Sequence, residues 1–96
     1  MSDVVEAAVK ALDAKLAGRT PDGSVKFVIP DEGAIRIDET GVSADDAPAD
    51  CVITASADTF QDLLGGRLNA TAAFMTGKLR IEGDMGLAMR MGALLG

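Results

Sequence analysis

Apolar residues recur along this chain at two spacings, and the points where the spacing changes divide it into elements. Val5, Val9, Leu12 and Leu16 return every three or four positions, while Glu6, Lys10, Asp13 and Lys15 fall elsewhere on the wheel. That spacing predicts an amphipathic helix over residues 3–17. Asp3 stands where a cap belongs with Glu6 three residues on, and Gly18 and Pro21 mark the stop. The period then falls to two. Val25, Phe27 and Ile29 share one face of residues 24–30, and Ile35 and Ile37 share one face of residues 34–40, opposite Arg36 and Asp38. With Pro30-Asp31-Glu32-Gly33 between them, the two runs predict an antiparallel hairpin. Residues 41–46 are polar and read at most as a short edge strand. Residues 50–56 set Cys51, Ile53 and Ala55 against Val52 and Thr54, a further strand.

Helical spacing returns after Ser56, an N-cap residue type, with Phe60, Leu63 and Leu64 on one face up to Gly65-Gly66. Asn69 is placed to cap a second short helix carrying Ala72, Ala73, Phe74 and Met75, which Gly77 stops. Residues 78–82 alternate again, Leu79 and Ile81 inward and Lys78, Arg80 and Glu82 outward. Gly83 turns the chain, and Asp84 opens a last helix reaching to about Leu95. The order α-βββ(β)-αα-β-α predicts an α+β domain with a mostly antiparallel sheet and helices layered on one of its faces. There is no internal repeat, linker or low-complexity segment, so residues 1–96 read as one domain.

The last helix breaks the pattern. From Met85 to Leu95 only Arg90 is charged, whereas a surface helix shows one apolar stripe against a polar back. Such a helix must be buried on both sides, line an internal cavity, or face a partner or membrane. Met85, Met89 and Met91 are three of the five methionines, with Met75 nearby. Thioether side chains are flexible and polarisable, and they adapt to ligands of varied shape. Two readings follow from these residues alone: a methionine-filled core or dimer interface, and a cavity for an apolar ligand.

Composition narrows the chemistry. Of 96 residues 48% are hydrophobic and 3% aromatic, and His, Trp and Tyr are absent. Without His the commonest general base and zinc ligand are missing. Cys51 sits in a β pattern without an obvious activating neighbour and reads as a small buried hydrophobe. The pairs Asp31-Glu32, Asp38-Glu39 and Asp45-Asp46 lack the spacing of a calcium loop. Gly65-Gly66 lacks the lysine of a phosphate loop. An enzyme is therefore not expected, nor a metal or cofactor. The net charge is -6, with residues 31–62 holding nine acids against Arg36 alone, while residues 63–96 are mildly basic. Acidity and the lack of aromatic rings oppose nucleic-acid binding. The N-terminus has no signal-peptide pattern, no window is apolar enough to span a membrane, and the final residues match no targeting tripeptide, so a cytoplasmic location is expected.

The residues from Asp50 onward also resemble a known family. The stretch from Ala49-Asp50 through the strand and short helix to Gly66-Arg67-Leu68-Asn69 is similar to the middle of sterol carrier protein 2 (SCP-2) domains. Those place Ala-Asp before a strand and a Gly-Lys-(Leu/Met)-Asn turn after a helix. The run Ala73-Phe74-Met75-Thr76-Gly77-Lys78-Leu79-Arg80-Ile81-Glu82-Gly83-Asp84-Met85-Gly86-Leu87-Ala88-Met89-Arg90 resembles the family signature Ala-Phe-x-x-Gly-Lys-Leu-x-Ile-x-Gly-(Asn/Asp)-Met-x-Leu-Ala-x-(Lys/Arg) almost position for position. The similarity is close over residues 50–91 and looser, with the same element order, over residues 3–49. The chain departs from many eukaryotic members in lacking a peroxisomal tripeptide and in staying apolar after Arg90, which suits a small stand-alone bacterial-type form.

The resemblance implies a five-stranded, mostly antiparallel sheet covered on one face by helices, with residues 41–46 as an edge strand. It implies an apolar tunnel between the layers, and binding without catalysis of a fatty acid, fatty acyl-CoA, sterol or isoprenoid-type lipid. The apolar residues expected to line the tunnel are Phe27, Ile29, Ile37, Phe60, Leu64, Phe74, Met75, Leu79, Ile81, Met85, Met89 and Leu94. Arg67, Lys78, Arg80 and Arg90 are candidates for contact with an anionic head group or membrane surface. Beyond the lipid itself, the expected partners are an anionic membrane or a lipid-modifying enzyme, with the protein a monomer or weak homodimer. The alternative from another class is a ligand-free interaction or homodimerisation module using the apolar C-terminal helix.

Overall fold

A computed structural model describes residues 3–95. Its first helix, α1 (Asp3–Leu16), buries Val5, Ala8, Leu12 and Leu16, the stripe that the three-and-four spacing selects. Ala17 and Gly18 follow at φ 51° and 86°, a left-handed exit that ends the helix. β1 (Val25–Ile29) and β2 (Gly33–Asp38) form the expected hairpin, paired antiparallel with Phe27 opposite Ile35. Pro30 and Asp31 make the corner. Asp31 has φ 66°, as the third position of a type II turn requires, and the Glu32 amide closes the turn on the Ile29 carbonyl at 3.0 Å. β3 (Gly41–Ser43) is a short edge strand on β2.

β4 (Cys51–Thr54) lies on the other side of β1 and runs parallel to it. The two starts are tied reciprocally: the Ser24 amide donates to Asp50 Oδ2 at 3.2 Å, and the Asp50 amide donates to Ser24 Oγ at 2.9 Å. β5 (Arg80–Gly83) pairs antiparallel with β4, giving the order β3-β2-β1-β4-β5. Three pairs are antiparallel and one parallel. The strand expected over residues 78–82 starts later than its alternation suggests, because the Lys78 and Leu79 amides both donate to the Ala73 carbonyl, at 2.8 and 3.3 Å. Those two residues finish the preceding helix instead of entering the sheet.

α2 (Ala57–Leu64) and α3 (Ala70–Met75) start where the capping residues stand. Ser56 Oγ accepts from the Thr59 amide at 3.2 Å, and Asn69 Oδ1 accepts from the Thr71 and Ala72 amides at 2.8 and 3.2 Å. α4 (Met85–Leu95) is held at its start by Asp84 Oδ1, which accepts from the Leu87 amide at 3.2 Å.

The helices cover one face of the sheet. Val25, Phe27, Ile29, Ile35, Ile37, Cys51 and Ile53 point into that layer and are buried, together with Leu12, Leu16, Phe60, Leu63, Leu87 and Met91 from the helices. On the outer face the register places Lys26 beside Arg36, and the connection from β3 to β4 crosses over them. Lys26 Nζ reaches Asp46 Oδ1 at 3.1 Å, and Arg36 Nε donates to the Pro48 carbonyl at 3.2 Å. Like charges on neighbouring strands are thus each given a partner from that connection.

Candidate functional site

Across the helix-facing side of the sheet, Phe27, Ile53 and Ile81 stand in one row, registered strand to strand. α3 and α4 lie over this row without filling the space above it. A cavity of about 800 Å³ remains, bordered by that row, by Leu63 and Leu68, and by Ala70, Phe74, Met75 and Leu79 from α3 and the turn after it. α4 supplies Met85, Ala88, Met89, Met91, Gly92, Ala93 and Leu95. α3 and α4 meet where Gly92 passes Ala70: a Cβ on Gly92 would lie 3.3 Å from the Ala70 Cβ. A small residue there lets the two helices converge below while the cavity opens beside them.

α4 resolves the anomaly of its composition by using two sides. Leu87, Ala88, Met91 and Leu95 are buried. Met85 and Met89 border the cavity and reach solvent, as do Phe74 and Met75 from α3. The large apolar side chains exposed among the described residues are these four, and all of them border one opening.

Polar groups in the lining are few: Lys15, Asn69, Thr71 and the backbone of Gly66 and Gly92. Lys15 is its sole charged side chain. It is half-buried in the last turn of α1, and its ammonium makes no ion pair or hydrogen bond among the described residues. The end of α1 is fastened to the end of α4, since Arg19 Nη2 donates to the Leu94 carbonyl at 3.2 Å. Lys15 therefore sits at the end of the cavity where α1, the last turn of α4 and the start of α3 converge. Asn69 Oδ1 is occupied in capping α3, so Asn69 offers its amide N–H groups. Among the described residues, the side chains of Lys15 and Asn69 thus bring donors to this end.

Of the twelve apolar residues expected at a tunnel, Phe27, Phe74, Met75, Leu79, Ile81, Met85 and Met89 border the cavity. The other five lie elsewhere. Ile29 and Ile37 share the sheet face of Phe27 but are buried with the solid part of the core. Phe60 is buried against Phe27, ring centroids 5.1 Å apart at 52°. Leu64 and Leu94 pack half-buried against the core. Lys15, Ile53, Leu63, Leu68, Met91 and Leu95 border the cavity as well, outside the set expected from the sequence. Ile53 carried a signal, because it alternates in phase with Cys51; Lys15 carried none, because its helix reads as solvated on that side.

The four basic candidates divide as well. Arg67 is exposed between two lining residues and pairs with Asp62 at 3.1 Å. Arg90 is exposed between Met89 and Met91 and lies 3.6 Å from Asp22. Lys78 is exposed in the turn after α3. Arg80 is registered with Thr54, on the side of β5 opposite Ile81, and so faces away from the cavity.

Catalytic chemistry finds little support around this space. Cys51 is fully buried, and burial, with the Asp84 carboxylate adding to it, pushes its thiol above its usual range, which disfavours the nucleophilic thiolate. Among the described residues no three His, Cys, Asp or Glu gather as a metal site, and no helix is long and apolar enough to cross a membrane.

The sequence and fold have known relatives. The SCP-2 sterol transfer family matches residues 2–96. Hydroxysteroid dehydrogenase-like protein 2 of Xenopus tropicalis is 32% identical over 97 aligned residues, covering 93% of this chain. Sterol carrier protein 2 of Homo sapiens is 48% identical over 46 residues, covering 48% of this chain. The chain spans 23% of the length of the first and 8% of the second, so the likeness concerns a minor part of each. Among solved structures, sterol carrier protein 2 from Aedes aegypti in complex with the C16 fatty acid palmitate superimposes with a TM-score of 0.77 at 18% identity, covering 100% of this chain and 97% of that one. A family match along nearly the whole sequence, on an α+β fold with a cavity between its layers, shows that this chain belongs to the SCP-2 sterol transfer family.

Proposed function

We propose that this protein is a non-catalytic lipid carrier that holds an acyl-chain lipid in the cavity between its sheet and α3–α4. The observation that supports this best is the cavity itself: about 800 Å³, bordered mostly by aliphatic, Phe and Met side chains. That volume falls in the roughly 300–1,000 Å³ range of small-molecule sites. Transfer of a chain of about ten methylenes from water contributes roughly 8 kcal/mol at about 0.8 kcal/mol each, enough to offset much of the cost of association. Such binding has little directionality, which suits loose selection among fatty acids, acyl-CoA and isoprenoid-type lipids. The Lys15 ammonium, without an ion pair among the described residues, favours a carboxylate at its end of the cavity. Palmitate bound to the Aedes aegypti relative supports the same ligand class.

The opening is where lipid would enter and leave. Phe74, Met75, Met85 and Met89 surround it; Arg90 directly follows Met89 in the chain and Lys78 lies three residues after Met75. Each such base contributes about 1 kcal/mol near an anionic membrane, so delivery would take place with the opening turned toward that surface. The same exposed thioethers would be covered in a homodimer, the competing reading. Native mass spectrometry of purified protein, titration with a fluorescent fatty acid, and sedimentation decide between them. A monomer that takes up one acyl chain is expected. A tight dimer that takes up none would overturn the carrier reading.

A further inference from the structure

Three of the four exposed apolar side chains at the opening are thioethers. Met75 is 79% exposed and Met89 76%, with Met85 at 45%. Met91 also borders the cavity, two residues beyond Met89 on the same helix, yet it is fully buried at 0%. The structure thus contains its own control, a thioether in the same lining that solvent does not reach. Methionine is oxidised as the neutral thioether, so peroxide attack depends on access to sulfur, and the product sulfoxide is polar and chiral. Among the described residues the remaining sulfur nucleophile, Cys51, is buried beneath the helices. Of the sulfur atoms in the described residues, peroxide therefore meets those at the rim of the cavity first.

We infer that Met75, Met85 and Met89 form an oxidation site that gates the cavity, such that a peroxide lowers the affinity for an apolar ligand. In the step, a sulfur lone pair attacks one peroxide oxygen. The O–O bond breaks as the S–O bond forms, sulfur loses two electrons, and the second oxygen leaves as water carrying both peroxide hydrogens. Each sulfoxide replaces an apolar contact with a strong acceptor that must stay hydrated. An acyl chain seated against it forfeits contact or strips that water, and either weakens binding. The relation runs both ways: a ligand that covers the sulfurs shields them, so the loaded carrier resists peroxide and the empty one is switched. This rests on the carrier reading above and adds its regulation.

The test treats the whole chain with hydrogen peroxide, empty and loaded with palmitate, maps oxidation by peptide mass spectrometry, and then titrates palmitate. Met75 and Met89 are expected to gain oxygen first, Met85 next and Met91 last, with palmitate slowing the first three. Full oxidation of the rim is expected to weaken palmitate binding about tenfold or more. Methionine sulfoxide reductases for both epimers should restore it. In a Met75→Leu/Met85→Leu/Met89→Leu variant the affinities before and after peroxide should match, whatever the starting value. Oxidation of Met91 alongside Met75 and Met89 would overturn the inference. So would a fully oxidised rim with unchanged affinity, or a loss that the reductases do not reverse; in those cases the carrier reading stands. Untreated protein that binds no palmitate removes both.

Discussion

The rings of Phe27 and Phe60 lie 5.1 Å apart, tilted at 52°, and only Phe27 borders the cavity. Phe60 thus supports the cavity lining through its contact with Phe27. Phe60→Ala is expected to cost about 3–5 kcal/mol of stability, as aromatic truncations in cores do, a large fraction of what a domain of this size possesses. Met89→Ala, at an exposed position, should change stability by less than about 0.5 kcal/mol while weakening uptake of palmitate. Urea unfolding of both variants, followed by lipid titration, checks the contrast between a supporting residue and a rim residue.

Gly83 is required by the backbone. It has φ 91°, and an added Cβ would run into the Asp50 carbonyl oxygen, which accepts the Asp84 amide at 3.0 Å. Gly83→Ala should therefore destabilise by about 1–3 kcal/mol, the range for a strained backbone position, and should loosen β5 from β4. Gly18→Ala, also at positive φ but with nothing within reach of a Cβ, should cost less. Thermal denaturation of the pair separates strain alone from strain plus collision.

Removing the Lys15 charge tests the head-group end. With Lys15→Gln, palmitate should bind about tenfold more weakly, as loss of one charge-assisted contact implies. Hexadecanol, the same chain without a charge, should be nearly unaffected. Equal losses for both ligands would mean that Lys15 acts only by packing.

Acid should reveal a local contribution from Asp38. Its carboxyl is held below its ordinary value of 3.8, chiefly because the Thr40 hydroxyl and amide both donate to it, with the Arg36 guanidinium helping. A carboxyl depressed in the folded state stabilises the fold above the unfolded value, and that contribution fades as pH falls through the folded one. The stability advantage of the native chain over Asp38→Asn should thus be present at neutral pH and shrink below about 3.8. Denaturant midpoints at the two ends of that range measure it. The effect is small, because the carboxyl is only half-buried and solvent screens it.

Much of the architecture can be read before folding, because local chemistry sets it. Alternation at Val25, Phe27 and Ile29 determines which side chains share a face, since successive residues of a strand point oppositely. Ser56 and Asn69 mark helix starts because their side chains satisfy amides that no other residue can reach. The signature around Gly77-Lys78-Leu79 and Gly83-Asp84-Met85 carries the family.

Where a side chain lies on its face is a different matter. Phe27 and Ile29 have the same phase and the same type, yet one borders the cavity and the other fills the core. What separates them is which helix passes overhead, and no local spacing encodes that. The same holds for Leu79, held by the end of α3 and not by the sheet, and for the parallel pairing of β1 with β4, which depends on how the connection crosses the outer face. Lys15 became part of the site only when α1, α3 and α4 converged on it. The sequence by itself determined the elements, their inward faces and the excess of aliphatic and Met side chains, because those follow from bonds and periods within a few residues. Only the tertiary structure decided that this excess is divided between a solid core and an open cavity, because a void exists only where separate elements fail to close on one another.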